Sequence, residues 1–302
     1  MDFVLPYVDS SDVLWKQSIL SCNEANFSEN DLARYRSWDA LPYVFRSVDK
    51  YLPFVDRIVL IVASPSQVPS WVNTETVRIV YHDEFIPKEF LPTFNSCTIE
   101  SFLYNIEDIS DKFIYSNDDV FALNNCIESD FFSDDTPNLK FRVIPINLRK
   151  DIYLNQCRSG MDMITTCVDG YPFPVDAVLV PQHTAIPMTY ESLQVIKYLC
   201  GDSIKSTITP VRSKVNVNQY IYSYYHYFTG NYAKKSTTFV YHTIWNASLD
   251  QINQDILDSN YQWVCLNDSR SLVDYDSVKS ILLNTFNQKF PHKCKYEKDI
   301  IT

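Results

Sequence analysis

The segment that most restricts the fold is Arg57 to Ala63, whose core Ile58-Val59-Leu60-Ile61-Val62 is an unbroken apolar run rich in β-branched residues. Such residues favour a strand, and the lack of alternation with polar residues implies cover on both faces, as in parallel sheets flanked by helices. Phe3 to Val8 is a second apolar run, breaking into Asp9-Ser10-Ser11-Asp12. Val77 to Tyr81 is a third, and Lys112 to Ser116 leads directly into Asn117-Asp118-Asp119. Between them Asp31 to Tyr51 has apolar residues at helical spacing (Leu32, Tyr35, Leu41, Val44, Phe45, Val48), with Pro42 starting a new helix, and Thr93 to Asn105 reads as a helix. The alternation predicts an α/β chain with a doubly wound, Rossmann-like, mostly parallel sheet flanked by helices. Ligands of such sheets gather beyond the carboxyl ends of the strands, so Asp9, Asp12 and Asn117 to Asp119 are expected to face one crevice.

The second half gives fewer signals. Residues 120 to 180 mix short apolar runs with Pro and Asp and show no period. Helices are expected at Asn216 to Phe228, Leu249 to Ser259 and Asp276 to Phe290, the last with an apolar stripe of Val278, Ile281, Leu282 and Phe286 and a cap at Asp274 or Asp276. No repeat or low-complexity linker marks a boundary, and 302 residues can share one large core.

Composition excludes several functions. With 4 glycines there is no Gly-x-Gly-x-x-Gly and no Gly-x-x-x-x-Gly-Lys, so neither usual phosphate loop is present. A net charge of −11 argues against tracking a nucleic-acid backbone, and an acidic protein meets anions locally, through a divalent metal and a few arginines. The 8 cysteines are scattered without Cys-x-x-Cys or zinc-finger spacing, so free thiols and no zinc site are expected. The start Met1-Asp2-Phe3-Val4-Leu5 has no signal-peptide pattern and no run of 18 apolar residues follows, which predicts a cytoplasmic protein without a transmembrane segment.

Asn117-Asp118-Asp119 is the most informative local feature, because adjacent carboxylates after a strand must be solvated or neutralised, for instance by magnesium or manganese. It is equally an ordinary turn sequence. His183, in a loop bounded by Pro181 and Pro187, suits a general base, although four other histidines compete with it. Arg212 follows Pro210-Val211 and could stabilise phosphoryl charge, or be a surface arginine. Asn267-Asp268, after Trp263 to Leu266, is a second strand-to-acid transition and a candidate metal or ribose ligand. The tyrosine-rich stretch Tyr220 to Tyr232 could stack a sugar or a base, but core packing is the commoner fate of such a stripe.

In order, these segments resemble the Stealth family of bacterial capsule sugar-phosphate transferases and the animal N-acetylglucosamine-1-phosphotransferase. The first matching motif is Asp2 to Asp12. The second runs from Arg34-Tyr35-Arg36 through Arg46-Ser47-Val48, Pro69-Ser70-Trp71, Val77 to Val80, Leu91 to Ser96 and Ile99-Glu100-Ser101 to Tyr115 to Phe121. The third is Gln182 to Pro187 with Arg212 downstream, and the fourth runs from Val264-Cys265-Leu266-Asn267-Asp268 to Phe290-Pro291. Pro6-Tyr7 and Ser10 stand where many members have tryptophan and glycine, and the His-Met-Pro of the third motif is loosened.

The resemblance implies a glycosyltransferase-A-like fold in one catalytic domain spanning 1–302. Residues 1–125 would be its nucleotide-sugar-binding half, and 126–302 an acceptor and phosphate half, helical towards its end. It implies Asp119, His183 and Arg212 as catalytic residues. Asp9, Asp12, Arg34, Asn95, Glu100 and Asn117 would bind substrate, and Asp118, Asp119, Asn267 and Asp268 would be near the metal. The donor would be a UDP-sugar and the acceptor a glycan or lipid-linked glycan, with release of UMP and formation of a phosphodiester; a location at the inner face of the membrane is left open. Competing expectations are a metal-dependent glycosyltransferase releasing UDP, and a non-catalytic carbohydrate-binding protein.

Overall fold

The computed structural model describes residues 1–22, 35–145, 152–168, 173–245, 248–258, 260–269 and 272–299. In chain order the strands are β1 (Asp2–Pro6), β2 (Arg57–Val62), β3 (Val77–Tyr81), β4 (Lys112–Tyr115), β5 (Val120–Ala122), β6 (Phe132–Ser133), β7 (Thr136–Pro137), β8 (Phe141–Pro145), β9 (Ala177–Pro181), β10 (Ile186–Thr189), β11 (Phe239–Thr243) and β12 (Trp263–Asn267). The main sheet has the order β10-β4-β1-β2-β3, with β4, β1, β2 and β3 parallel and β10 antiparallel at the edge. A smaller sheet, β11-β12-β5, stands beside it.

The apolar run in β2 is covered on both faces, as its sequence demands. Ile58, Leu60 and Val62 join Phe3, Leu5 and Ile114 in one core, while Val59 and Ile61 join Val4, Phe113 and Tyr115 in another. This is the two-residue alternation of a strand sorting side chains between two layers. The first layer is closed by the helices Leu41–Tyr51, Leu249–Leu257 and Tyr275–Lys289. The second is closed by Ser96–Ser101, Ile152–Cys167, Tyr190–Lys205 and Tyr220–Thr229. The mostly parallel α/β sheet is thus present, and the chain is helical towards its end.

The differences from expectation have local causes. The helix expected at Thr93 to Asn105 starts only at Ser96, because the Asn95 side chain caps it by accepting from Cys97 N at 3.1 Å, and it gives way to a 3-10 turn at Leu103–Asn105. The helix expected from Asn216 starts at Tyr220, because the Asn216 side chain accepts from Ser213 N and donates to Thr207 O, both at 2.6 Å. Asp274 is the cap of the last helix. The helices Ile152–Cys167 and Tyr190–Lys205 lie where no pattern was visible. The expected helix start at Asp31 and Leu32 lies outside the described residues. Both sheets draw strands from 1–125 and from 126–302, β10 joining the first and β5 the second.

The chain is clamped far from its acids by Arg46 and Glu297. Arg46 donates to the buried Glu297 carboxylate from Nε at 2.7 Å and from its terminal nitrogen at 2.8 Å, and Cys294 N adds a third bond at 3.0 Å. Burial raises the Glu297 pKa, but these bonds outweigh it and hold the group below its ordinary 4.5. The depressed folded-state value means that its contribution is complete above the unfolded value and is lost as pH falls through the folded one. Glu297→Gln should cost about 2–4 kcal/mol in urea unfolding at neutral pH. The difference from wild type should shrink as pH is lowered below about 4.

Candidate active site

Backbone register assembles the site. β10 pairs with β4 so that Ile186 faces Tyr115, which brings the loop carrying His183 beside the residues just after β4. On the far side of Asn117-Asp118-Asp119, β5 pairs with β12, placing Cys265 opposite Val120, and Leu266 N donates to Asp119 O at 2.9 Å. Three distant stretches therefore meet at Asp119. They open into a cleft of about 780 Å³ whose walls include Asn117, Asp118, Asp119, Glu100, His183, Arg212, Asn267 and Asp268.

Asp119 lies between opposing influences. Burial raises its carboxyl pKa, and the His183 and Arg212 charges pull it back part of the way. Its Oδ2 accepts from Cys265 Sγ at 3.8 Å, while Oδ1 is shielded from water and has no protein partner. Asp118 is open to water in the cleft, and the surrounding walls, followed by the Asp119 charge, push its carboxyl upward. Two adjacent carboxylates in this setting are suited to a divalent cation.

His183 is held by an aromatic relay. Its Nδ1 lies 2.8 Å from Tyr220 Oη, and Tyr220 in turn bonds to Tyr153. If the Tyr220 hydroxyl donates to Tyr153, Nδ1–H donates to Tyr220, and Nε2 presents its lone pair to the cleft. Burial lowers the His183 pKa; the Asp119 charge opposes this and Arg212 adds to it. The tyrosine stripe thus has a member at the site, although Tyr222 and Tyr224 are core residues as their spacing suggested.

Arg212 reaches the cleft on a loop fixed from behind. Its terminal nitrogen donates to Ser96 Oγ at 2.5 Å. Asn95, fully buried, donates to Thr209 O and Asn216 Oδ1, both at 3.0 Å, and so ties the loop to the helix beginning at Ser96. Asn95 is therefore a tether and lines no part of the cleft. Glu100 accepts from Gln219 N at 2.9 Å and from Tyr115 Oη at 3.3 Å; burial pushes its pKa up and Arg212 counteracts this.

Asp9 and Asp12 are not in the cleft wall, contrary to the crevice expectation. Asp9 accepts from Ser11 N at 2.8 Å. Asp12 caps the helix Val13–Ser21, accepting from Leu14 N at 2.9 Å, and also accepts from Ser66 Oγ at 2.6 Å and Gln67 Nε2 at 2.8 Å. Both carboxylates organise the loop after β1. Asp268 does line the cleft, but Arg36 holds its carboxylate in a two-pronged ion pair, with Nε donating at 2.6 Å, and Trp38 Nε1 donates at 3.1 Å. A carboxylate committed in this way is a poor metal ligand, so Asn267 is the better remaining candidate from that pair. Arg34 lies outside the described residues.

Sequence reasoning did not select Arg36, Cys265, Tyr153 or Tyr220 for the site. Arg36 and Cys265 were visible only as parts of motifs, Tyr220 as the first residue of the tyrosine stripe, and Tyr153 not at all.

A sequence model described as "Stealth protein CR2, conserved region 2" matches residues 34–139. A capsular polysaccharide phosphotransferase, eps5J of Streptococcus thermophilus, is 34% identical over 164 residues, covering 51% of this chain and 68% of that one. The chain belongs to the Stealth family. Two more relatives run along nearly its whole length. The capsular polysaccharide phosphotransferase WcwK of Streptococcus pneumoniae is 28% identical over 99% of this chain and 98% of its own, and the exopolysaccharide phosphotransferase cps2G of Lactiplantibacillus plantarum is 26% identical over 99% and 96%. In this Stealth chain the matched region carries Arg36, the tether Asn95 and the acids at 117–119 on one continuous stretch.

Asp268→Ala should destabilise the protein by about 2 kcal/mol, because it strands the Arg36 guanidinium in a partly buried site. The check is the urea midpoint. Asp268→Asn, which keeps an acceptor for Arg36, should lose less.

Proposed function

We propose that this Stealth protein transfers a sugar-1-phosphate from a UDP-sugar to a carbohydrate hydroxyl during synthesis of a capsule or exopolysaccharide. UMP is the product released, and the new linkage is a phosphodiester. The observation that carries the reading is the convergence of Asp119, His183 and Arg212 on one cleft, with Asp119 Oδ1 left without a protein partner. The phosphotransferase relatives over nearly the full length support the same reaction class.

In this reading His183 Nε2 accepts the proton of the acceptor hydroxyl, whose oxygen bonds to the sugar-proximal phosphorus. The bond from that phosphorus to the bridging oxygen breaks, and the electron pair leaves with UMP. Because the anomeric carbon is untouched, its configuration is retained. Arg212, pinned by Ser96, offsets charge on the phosphoryl oxygens. Asp118, Asp119 and Asn267 would hold magnesium or manganese, and the shielded Asp119 Oδ1 fits such a role. A bound divalent ion supplies charge neutralisation to a diphosphate. The acceptor is a glycan, free or lipid-linked; no helix among the described residues is long and apolar enough to cross a membrane.

Incubation with a panel of UDP-sugars and magnesium or manganese, followed by mass spectrometry of the nucleotide, should find UMP. Release of UDP instead would establish glycosidic transfer and overturn the proposal. Asp119→Asn and His183→Ala should each lower turnover by about 10²–10⁴-fold. Arg212→Lys should lower turnover far more than stability, since a point charge replaces a planar fork. Tyr220→Phe should lower kcat by roughly tenfold and leave KM nearly unchanged, because it frees the His183 tautomer without removing a substrate contact.

A further inference from the structure

Asp119, His183 and Cys265 bring one ligand atom each to within 4.8 Å of the other two. We infer that these three residues form a binding site for a thiophilic divalent transition metal ion of the zinc type, distinct in chemistry from an oxygen-only magnesium site. Scattered cysteines gave no hint of it in the sequence, because the three residues are separated by 64 and 82 positions and are brought together only by the β4–β10 and β5–β12 registers.

The donor set decides the metal. Carboxylate, imidazole and thiolate match zinc, whereas magnesium takes oxygen ligands in near-octahedral geometry. Zinc bonds of ~2.0–2.3 Å place neighbouring ligands roughly 3.3–3.8 Å apart, so rotamer adjustments on the order of 1 Å close the site. The Cys265 Sγ to Asp119 Oδ2 separation is already 3.8 Å. Asp119 Oδ1, shielded and without a partner, is a second observation that points to a cation at this place. Binding releases the thiol proton to solvent as the Cys265 thiolate bonds to the metal. Three protein ligands leave a fourth position for water or a phosphate oxygen.

One consequence rests on the proposed function. An ion held by His183 removes the proton acceptor and competes with magnesium for Asp119, so zinc at this site inhibits transfer.

The site itself is tested without turnover. The 302-residue chain, freed of metal by chelation, is titrated with cobalt(II), and the thiolate-to-cobalt absorption in the near ultraviolet is recorded. One equivalent should bind with that band, zinc should displace it, and Cys265→Ser should abolish it and weaken zinc binding by about 100-fold or more. His183→Gln, in a loop where folding is less at risk, should weaken zinc binding comparably. Absence of the band in wild type, or an unchanged band or affinity in either folded variant, overturns the site. For an active preparation, UMP release should fall with added zinc and return on chelation; release indifferent to saturating zinc overturns the inhibitory consequence. A preparation inactive with every UDP-sugar counts against the proposed function alone, since the cobalt band does not depend on it.

Discussion

The site depends on one length of backbone shared by two sheets. From Lys112 to Tyr115 the chain is hydrogen-bonded into the main sheet, and from Val120 to Ala122 into the smaller one. The four residues between them must cross the gap, and that crossing is where Asn117, Asp118 and Asp119 lie. Both ends are fixed by ladders, so the acids are held by main-chain bonds on each side. The same two ladders deliver His183, in the loop before β10, and Cys265 from β12. Geometry at the cleft is therefore a property of strand register, and a slip of one residue in either ladder would turn side chains to the wrong face.

The electrostatics follow from that placement. Burial makes ionised Asp119 costly, and His183 and Arg212 offset part of the cost across the cleft. The two cationic or basic groups are themselves restrained, His183 by Tyr220 and Arg212 by Ser96. Asp268 has its own guanidinium in Arg36, which lies over the Tyr275 ring at 4.5 Å. The chain as a whole is acidic, yet close to the site each carboxylate is either paired or left facing a place where a cation fits.

The four parallel strands of the main sheet were legible because apolar runs such as Ile58 to Val62 have few other uses, whereas β10 was read as part of a Pro-bounded loop. Asp119, His183 and Arg212 were legible as candidates through motif order, and they do line one cleft. Asp9, Asp12 and Asn95 have backbone-organising bonds that their sequence positions did not reveal. Short polar side chains in loops serve equally well as ligands and as loop or helix caps, and only their partners show which bonds they make. Cys265 and Tyr220 were hidden because buried strand and helix residues look like core until their neighbours are known. The helices Ile152–Cys167 and Tyr190–Lys205 were missed because polar residues such as Gln156 and Ser192 are buried within them and blur the apolar period.

The Arg46–Glu297 clamp joins residues 251 positions apart. A ribosome synthesises Arg46 long before its carboxylate exists, so the nascent chain carries a guanidinium destined for a half-closed site with nothing to receive it. β12, which completes the cleft, is likewise made after the acids. Until it pairs with β5 the acids lack the ladder that fixes their far side, and the cleft takes its final form only when that strand docks.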